Sequence, residues 1–518
     1  MKHALFILLA LSRLAAARTV SYTLSVGNNS PPAKETRLAT LRFADDDAVR
    51  YSQFFSRFAK ESRLLTVMDA ETQRRHPDLA ARAPSLANLN EIVDEFAKRM
   101  EADRKRGDEP IFYFSFSGHG ARDESGAYLS FLDGKMTREM LYEQVVGRVG
   151  ATFSHLIVDA CYAAGVVGVR GDMFAKEINT QPVELSQREL STLSEEEQSR
   201  HPTVGVLVAA SRDGLAREWS GIEAGVFSHE VLSGLLGGAD VNGDGKIEYS
   251  ELEAFAAAAN RNIRDPRALP QVIARSPKIF AHAPLVSLAD LRASYFLTGA
   301  AAHLGHFSVE LENGERYLDA HYSPDMRMML ALPAGRLLFV RTETSEAELP
   351  AHEAGTVAVE SLAFRPKKGV TRGAIETAYR TALFSHPFGR SYYAGFADST
   401  QSLSVDFEVH RFQPRRRPGY RRATAITLFS IAGAATVVSI ISGAVALAAK
   451  REYDDTQLQL SAMDAFSRYA LSSQLSLSSA IGAAATSVAG ALVWPRTKYR
   501  PLVEVSRDGA NLGISATW

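Results

Sequence analysis

Two short apolar, β-prone runs each end in a reactive side chain, and this pairing limits what the chain can fold into. The first is Ile111-Phe112-Tyr113-Phe114-Ser115-Phe116-Ser117-Gly118-His119-Gly120; the second is His155-Leu156-Ile157-Val158-Asp159-Ala160-Cys161-Tyr162-Ala163-Ala164-Gly165. Runs of this length bounded by glycine read as buried strands, and a helical pattern from Arg138 to Val149 separates them. Strand, helix, strand is the unit of a parallel sheet, so both reactive residues fall at carboxyl ends of neighbouring strands, where open α/β sheets bind ligands.

The rest of the first half repeats the alternation. Residues 19 to 26 are a strand closed by Gly27-Asn28-Asn29; Ala44-Asp45-Asp46-Asp47-Ala48 leads into a helix through Tyr51 to Phe58; Leu64 to Met68 is a short strand. Leu89, Ile92, Val93, Phe96 and Met100 share one face of a helix from Leu86 to Met100, and Val204 to Ala210 is another buried strand. The expected fold is α/β over 18–284, a mainly parallel sheet flanked by helices. A small, mostly β domain over 285–410 and a carboxyl-terminal hydrophobic helical hairpin within 411–518 follow it. Residues 170–202 read as a long polar surface loop.

Cys161 is the single cysteine, which excludes an intrachain disulfide framework and a cysteine-rich zinc site, and a net charge of −1 gives no global sign of a nucleic-acid partner. A thiol becomes a strong nucleophile when an imidazole holds it partly ionised. His119 titrates in the range needed to take that proton and return it to a leaving amine. The backbone N–H groups of Gly120 and Cys161 are the expected oxyanion donors, a role worth about 3 kcal/mol per donor.

These residues carry a resemblance. Phe116-Ser117-Gly118-His119-Gly120 with Asp159-Ala160-Cys161 is similar to the caspase-like peptidases, on the bacterial caspase and metacaspase side. Val26-Gly27-Asn28-Asn29, Asp45-Asp46-Asp47-Ala48, Ala209-Ala210-Ser211-Arg212 and Gly225-Val226-Phe227-Ser228 extend it over about 19 to 283. The resemblance implies a caspase-like sheet, His119 as general base and acid, Cys161 as nucleophile, and a protein or peptide substrate. Where members often read Cys-His-Ser-Gly, this chain has Cys161-Tyr162-Ala163-Ala164-Gly165. Asp159 shares a strand face with Cys161. The resemblance places the matching aspartate in the pocket for the residue before the scissile bond. Glu218 or Asp213 can add a second carboxylate, and cleavage after Arg or Lys is expected. Self-cleavage within 170–202, which holds Arg170, Lys176, Arg188 and Arg200, is a further expectation. Two other readings stay open: a caspase-fold signalling scaffold without activity, and a calcium-binding membrane adaptor.

Residues 240–251 satisfy the EF-hand loop pattern. Asp240, Asn242 and Asp244 stand at positions 1, 3 and 5, Gly245 at 6, and Glu251 at 12. Lys246 would give its carbonyl, and Glu248 would bind directly or through water. The expected ion is Ca²⁺, structural or regulatory.

Ala423 to Ala449 and Tyr469 to Trp494 contain no charged residue, and each is long enough to span a bilayer. Residues 1–17, with Lys2, an apolar run and Ala15-Ala16-Ala17, read as a secretory signal peptide. Arginines 411, 415, 416, 417, 421 and 422 before the first span, and Arg496, Lys498 and Arg500 after the second, would keep both flanks in the cytoplasm. The signal peptide would place the first flank outside. Export is the preferred reading, because long domains cross largely regardless of charge. Membrane association with an exported catalytic domain is therefore expected.

Overall fold

The computed structural model describes residues 18–32, 39–124, 126–161, 163–167, 199–210, 218–264, 270–366, 379, 381–400, 404–409, 411–414, 420–455, 459–493, 499–506 and 509–516. They form two compact units, up to Arg415 and from Arg416 onward.

The first unit is built on a six-stranded sheet. In chain order come β1 (Thr19–Asn28), helix α1 (Ala44–Ser56), β2 (Glu61–Leu65), helix α2 (Leu86–Lys105) and β3 (Glu109–Gly118). A meander of β4 (Gly120–Asp123), β5 (Gly126–Phe131) and β6 (Gly134–Thr137) follows, then a π-helical segment Met140–Gly147 and β7 (Phe153–Ala160). Beyond β8 (Val204–Ala210) lie β9 (Glu218–Trp219), β10 (Ala224–Gly225), α3 (Val226–Ser233), β11 (Lys246–Glu248), α4 (Tyr249–Asn260), β12 (Gln271–Arg275) and β13 (Pro284–Ser287). The sheet order is β12-β8-β7-β3-β1-β2, parallel except for the antiparallel edge strand β12. The protein is thus mixed α/β with a mainly parallel central sheet.

Strand alternation divides the core between the two sheet faces. On β3, Phe112, Phe114 and Phe116 bury with Leu89, Val93 and Phe96 of α2. Tyr113 points the other way and packs on Phe55 of α1 at 5.5 Å between ring centres. On β7, Leu156 and Val158 join the α2 side, and Ile157 joins the α1 side. Ser85 caps α2: its Oγ accepts from Asn88 N at 3.1 Å, a contact worth about 1 kcal/mol. Strand order reverses between β1 and β3, so the crevice at their carboxyl ends is the expected ligand position.

The sequence placed the second strand at Leu64 to Met68, but it runs Glu61–Leu65, because parallel pairing to β1 begins at Tyr22 with Glu61. The α1-side core runs on past residue 285, where Leu235 and Leu252 share one cluster with Tyr295 and Leu330. Residues beyond 285 form a three-stranded sheet, order β17-β14-β20, and a five-stranded one, order β16-β15-β18-β19-β21. Their strands are β14 (Ser294–Gly299), β15 (Phe307–Leu311), β16 (Arg316–Ala320), β17 (Met328–Pro333), β18 (Leu338–Arg341), β19 (Ser345–Leu349), β20 (Thr356–Ala358) and β21 (Arg365–Pro366). Helix α5 (Arg390–Thr400) completes the unit.

The second unit is a pair of long helices, α6 (Tyr420–Asp455) and α7 (Gln459–Val493), with a hairpin of β22 (Tyr499–Ser506) and β23 (Gly509–Ala516). The helices meet through small residues: Ser439 Oγ donates to the Ser476 carbonyl at 2.9 Å, and Ser476 Oγ returns the bond at 2.9 Å. Among the described residues, one stretch is long and apolar enough to cross a bilayer, Leu428–Glu452, with a mean hydropathy of 2.1. Two spans were expected; the second, Tyr469 to Trp494, is not among the candidates over the described residues, and Trp494 lies outside them.

Candidate active site

Parallel pairing of β3 with β7 sets Ser117 opposite Asp159 and Gly118 opposite Ala160. The next residue on each strand is a reactive one, so His119 and Cys161 leave the sheet as neighbours at its carboxyl edge. Gly120 then folds back onto Cys161: a β-carbon at position 120 would lie 1.8 Å from the Cys161 carbonyl oxygen and 3.3 Å from its nitrogen. The two peptides expected to supply oxyanion donors are therefore brought together, and only glycine permits the approach. The two reactive residues are both buried, at 4% exposure.

His119 is held in a definite state. Burial pushes its pKa down, while a hydrogen bond to the Ala39 backbone pulls it up. Its Nε2 is buried and has no hydrogen-bond partner among the described residues. The ring therefore donates from Nδ1 to the Ala39 carbonyl, leaving the Nε2 lone pair to receive a proton.

Beside this pair lies a group of carboxylates. Asp159 is wholly buried and accepts from Ser228 N at 3.2 Å and Ser228 Oγ at 2.8 Å. Asp47, in the first turn of α1, accepts from Ser117 Oγ at 2.8 Å and from Gly225 N at 3.1 Å to each oxygen. A β-carbon at Gly225 would stand 2.6 Å from Asp159 Oδ2 and 2.8 Å from Asp47 Oδ2, so this glycine is the gap between the two carboxylates. Burial, then the charge of Asp159, holds Asp47 well above the usual carboxylate range. Burial raises Asp159 to about 6 against the pull of the Ser228 bonds, and Glu218 adds to the rise. Glu218 itself is fixed by Phe43 N at 2.8 Å and Arg42 N at 3.0 Å, and burial raises it too. Among the described residues neither Asp47 nor Asp159 has an ion-pair partner. Asp213, Tyr162, Arg170, Lys176, Arg188 and residues 1–17 lie outside the described residues.

Asp47 was not among the expected substrate-binding residues. Asp45, Asp46 and Asp47 in the first turn suit the positive end of a helix, which left Asp47 no separate signal. A cavity of about 260 Å³ opens on the same acidic turn, lined by Asn29, Phe43, Asp46 and Arg75. Burial, then Asp45, pushes Asp46 up to about 7.

The 240–251 loop is bounded by helices on both sides. Gly243 and Gly245 take φ of +79° and +77°, the left-handed turns that glycine favours. Asp240 accepts from Gly243 N at 2.8 Å and Gly245 N at 3.0 Å, Asn242 from Asp244 N at 3.0 Å, and Asp244 from Lys246 N at 2.7 Å. Glu251 accepts from Val241 N at 3.1 Å and Glu248 N at 2.9 Å. Burial, then Asp244, raises Asp240 to about 7; burial, then Asp240, raises Glu251 further. The donor chemistry suits a hard cation, although no three such side chains among the described residues converge as a formed metal centre. The loop's short strand β11 pairs antiparallel with β13, Ile247 opposite Val286.

No family model matches the chain, and no curated protein does. Among solved structures, one similar chain is described as the structure of pro-Sf-caspase-1. It is 12% identical, with a TM-score of 0.26, over 50% of this chain and 87% of that one. So distant a likeness says nothing of chemistry.

Proposed function

We propose that the protein is a caspase-like cysteine endopeptidase that cleaves after Arg or Lys. The observation that carries this reading is the delivery of His119 and Cys161 to one sheet edge, beside two buried carboxylates without an ion-paired cation among the described residues. In this reading Cys161 Sγ attacks the peptide carbonyl, and His119 Nε2 takes the thiol proton. The N–H groups of Gly120 and Cys161 hold the oxyanion. His119 then protonates the leaving amine, and water hydrolyses the thioester. Asp47, Asp159 and Glu218 bind the basic side chain, whose charge offsets their repulsion. Calcium in the 240–251 loop, held by Asp240, Asn242, Asp244, Glu248, Glu251 and the Lys246 carbonyl, would stabilise the fold beside β13. The apolar α6 would tether the enzyme to a bilayer, with the catalytic unit exported. Basic residues of the 170–202 segment would be sites of self-cleavage.

The burial of both reactive residues favours one rival, a scaffold without turnover. Hydrolysis of fluorogenic peptides ending in Arg, Lys or Asp, with and without calcium, separates the two. Turnover of the basic peptides, lost in Cys161→Ala and His119→Ala, supports the peptidase. A wild type inert on all three supports the scaffold, and equal or better turnover of the aspartyl peptide removes the proposed specificity.

A further inference from the structure

A second cavity, of about 250 Å³, lies between α1 and the β strands beyond residue 285. Four arginines line it, Arg50, Arg57, Arg316 and Arg336, against one lining carboxylate, Glu315. Their charges are unequally met. Arg316 is held by both oxygens of Asp319, at 2.7 and 2.6 Å. Arg50 meets Glu315 Oε1 at 3.3 Å and the Ile222 carbonyl at 3.2 Å, but its buried Nη1 has no partner among the described residues. Among the described residues Arg57 bonds only neutral oxygens, the Tyr317 hydroxyl at 2.7 Å, Ser294 Oγ and the Leu332 carbonyl, and its buried Nε has no partner there. Arg336, also lining the cavity, is exposed, with no carboxylate partner among the described residues.

Buried donors in native proteins are almost always satisfied; two of the arginines that line this cavity each keep an N–H without a partner among the described residues, and four guanidinium groups against one carboxylate call for an anion. Guanidinium matches the oxygens of phosphate in fork geometry. Glu315 Oε2 is also buried without a donor. A monoprotonated phosphate monoester supplies both acceptor oxygens and one O–H. Phe54, Leu236 and Pro333 form apolar wall, and the volume approaches that of small-molecule sites, roughly 300 Å³ upward.

We propose that this cavity binds a small phosphate monoester with an apolar body. The test uses the full chain carrying Cys161→Ala, in detergent, with 4-fluorophenyl phosphate followed by fluorine NMR. Saturable line broadening is expected. Inorganic phosphate should compete at least tenfold more weakly, and 4-fluorophenol should not broaden. Arg336→Gln and Arg57→Gln should each weaken binding at least tenfold; Arg336, exposed and without a structural bond, leaves folding intact even if Arg57→Gln does not. Absence of saturable broadening, affinity unchanged in Arg336→Gln, or inorganic phosphate competing as well as the ester would each overturn the proposal.

Discussion

Asp47 and Asp159 owe their chemistry to one missing side chain, that of Gly225. Because Asp159 sits at about 6 in the fold and in the ordinary carboxylate range once unfolded, folding favours its protonated form. That stability is complete below the ordinary range and is lost as pH climbs through about 6. The melting temperature should therefore fall between about pH 4 and 6.5, and Asp159→Asn should flatten the fall. Binding of a basic substrate has the opposite dependence, since it needs the carboxylate. Under the proposed activity, kcat/KM for an arginyl peptide should rise through about pH 6 in steady-state assays. Asp159→Asn should lower it at least roughly thirtyfold, as losing a buried charge partner costs about 2 kcal/mol or more. Gly225→Ala should raise KM for basic peptides and destabilise by about 1–3 kcal/mol, because its β-carbon overlaps both carboxylates. A chemical denaturation series beside the kinetics checks both effects; an unchanged KM would remove Gly225 from the pocket.

At the scale of elements, the 240–251 loop is not isolated: β13 supplies the strand that β11 pairs with. Cation binding there must displace protons from Asp240 and Glu251, which burial and mutual repulsion favour as neutral. Calcium affinity by calorimetry should weaken as pH falls below about 7, and Glu251→Gln should abolish it; an affinity independent of pH from 6 to 8 would contradict this linkage. The strands β3, β7 and β8 were legible because each is an apolar run, as strands covered on both faces must be, and β1 because its β-prone residues alternate up to a Gly-Asn-Asn turn. The meander β4 to β6 was not, because its members are short, Arg122 and Asp123 are exposed, and each strand pairs only with its neighbour in the meander. The edge strand β12 escaped for a similar reason: Gln271 to Arg275 carry polar ends, and the strand pairs on one side only. In the site, His119 and Cys161 were legible from the glycines and strand ends around them. Asp47 was not, since acidic residues at a helix start have an adequate local reason, and only tertiary burial sets this one against Asp159.

For the whole molecule, the compact unit up to Arg415 should hold its own stability without the helices beyond it. A chain truncated at residue 415 should keep its melting temperature within a few degrees yet fail to float with liposomes, whereas the full chain should float. Flotation of the truncated chain would place the lipid contact elsewhere. Residues 404–409 and 411–414, the last described before α6, lie across the 240–251 loop. Phe412 N donates to the Gly243 carbonyl at 2.8 Å, Asn242 Nδ2 donates to the Asp406 carbonyl at 3.0 Å, and the Phe412 ring packs over Gly245. Tension drawn along the chain from its carboxyl-terminal side thus reaches these bonds before any strand of the central sheet. Under load, the segment would peel from the loop first, and the loop would serve as the molecule's mechanical fuse.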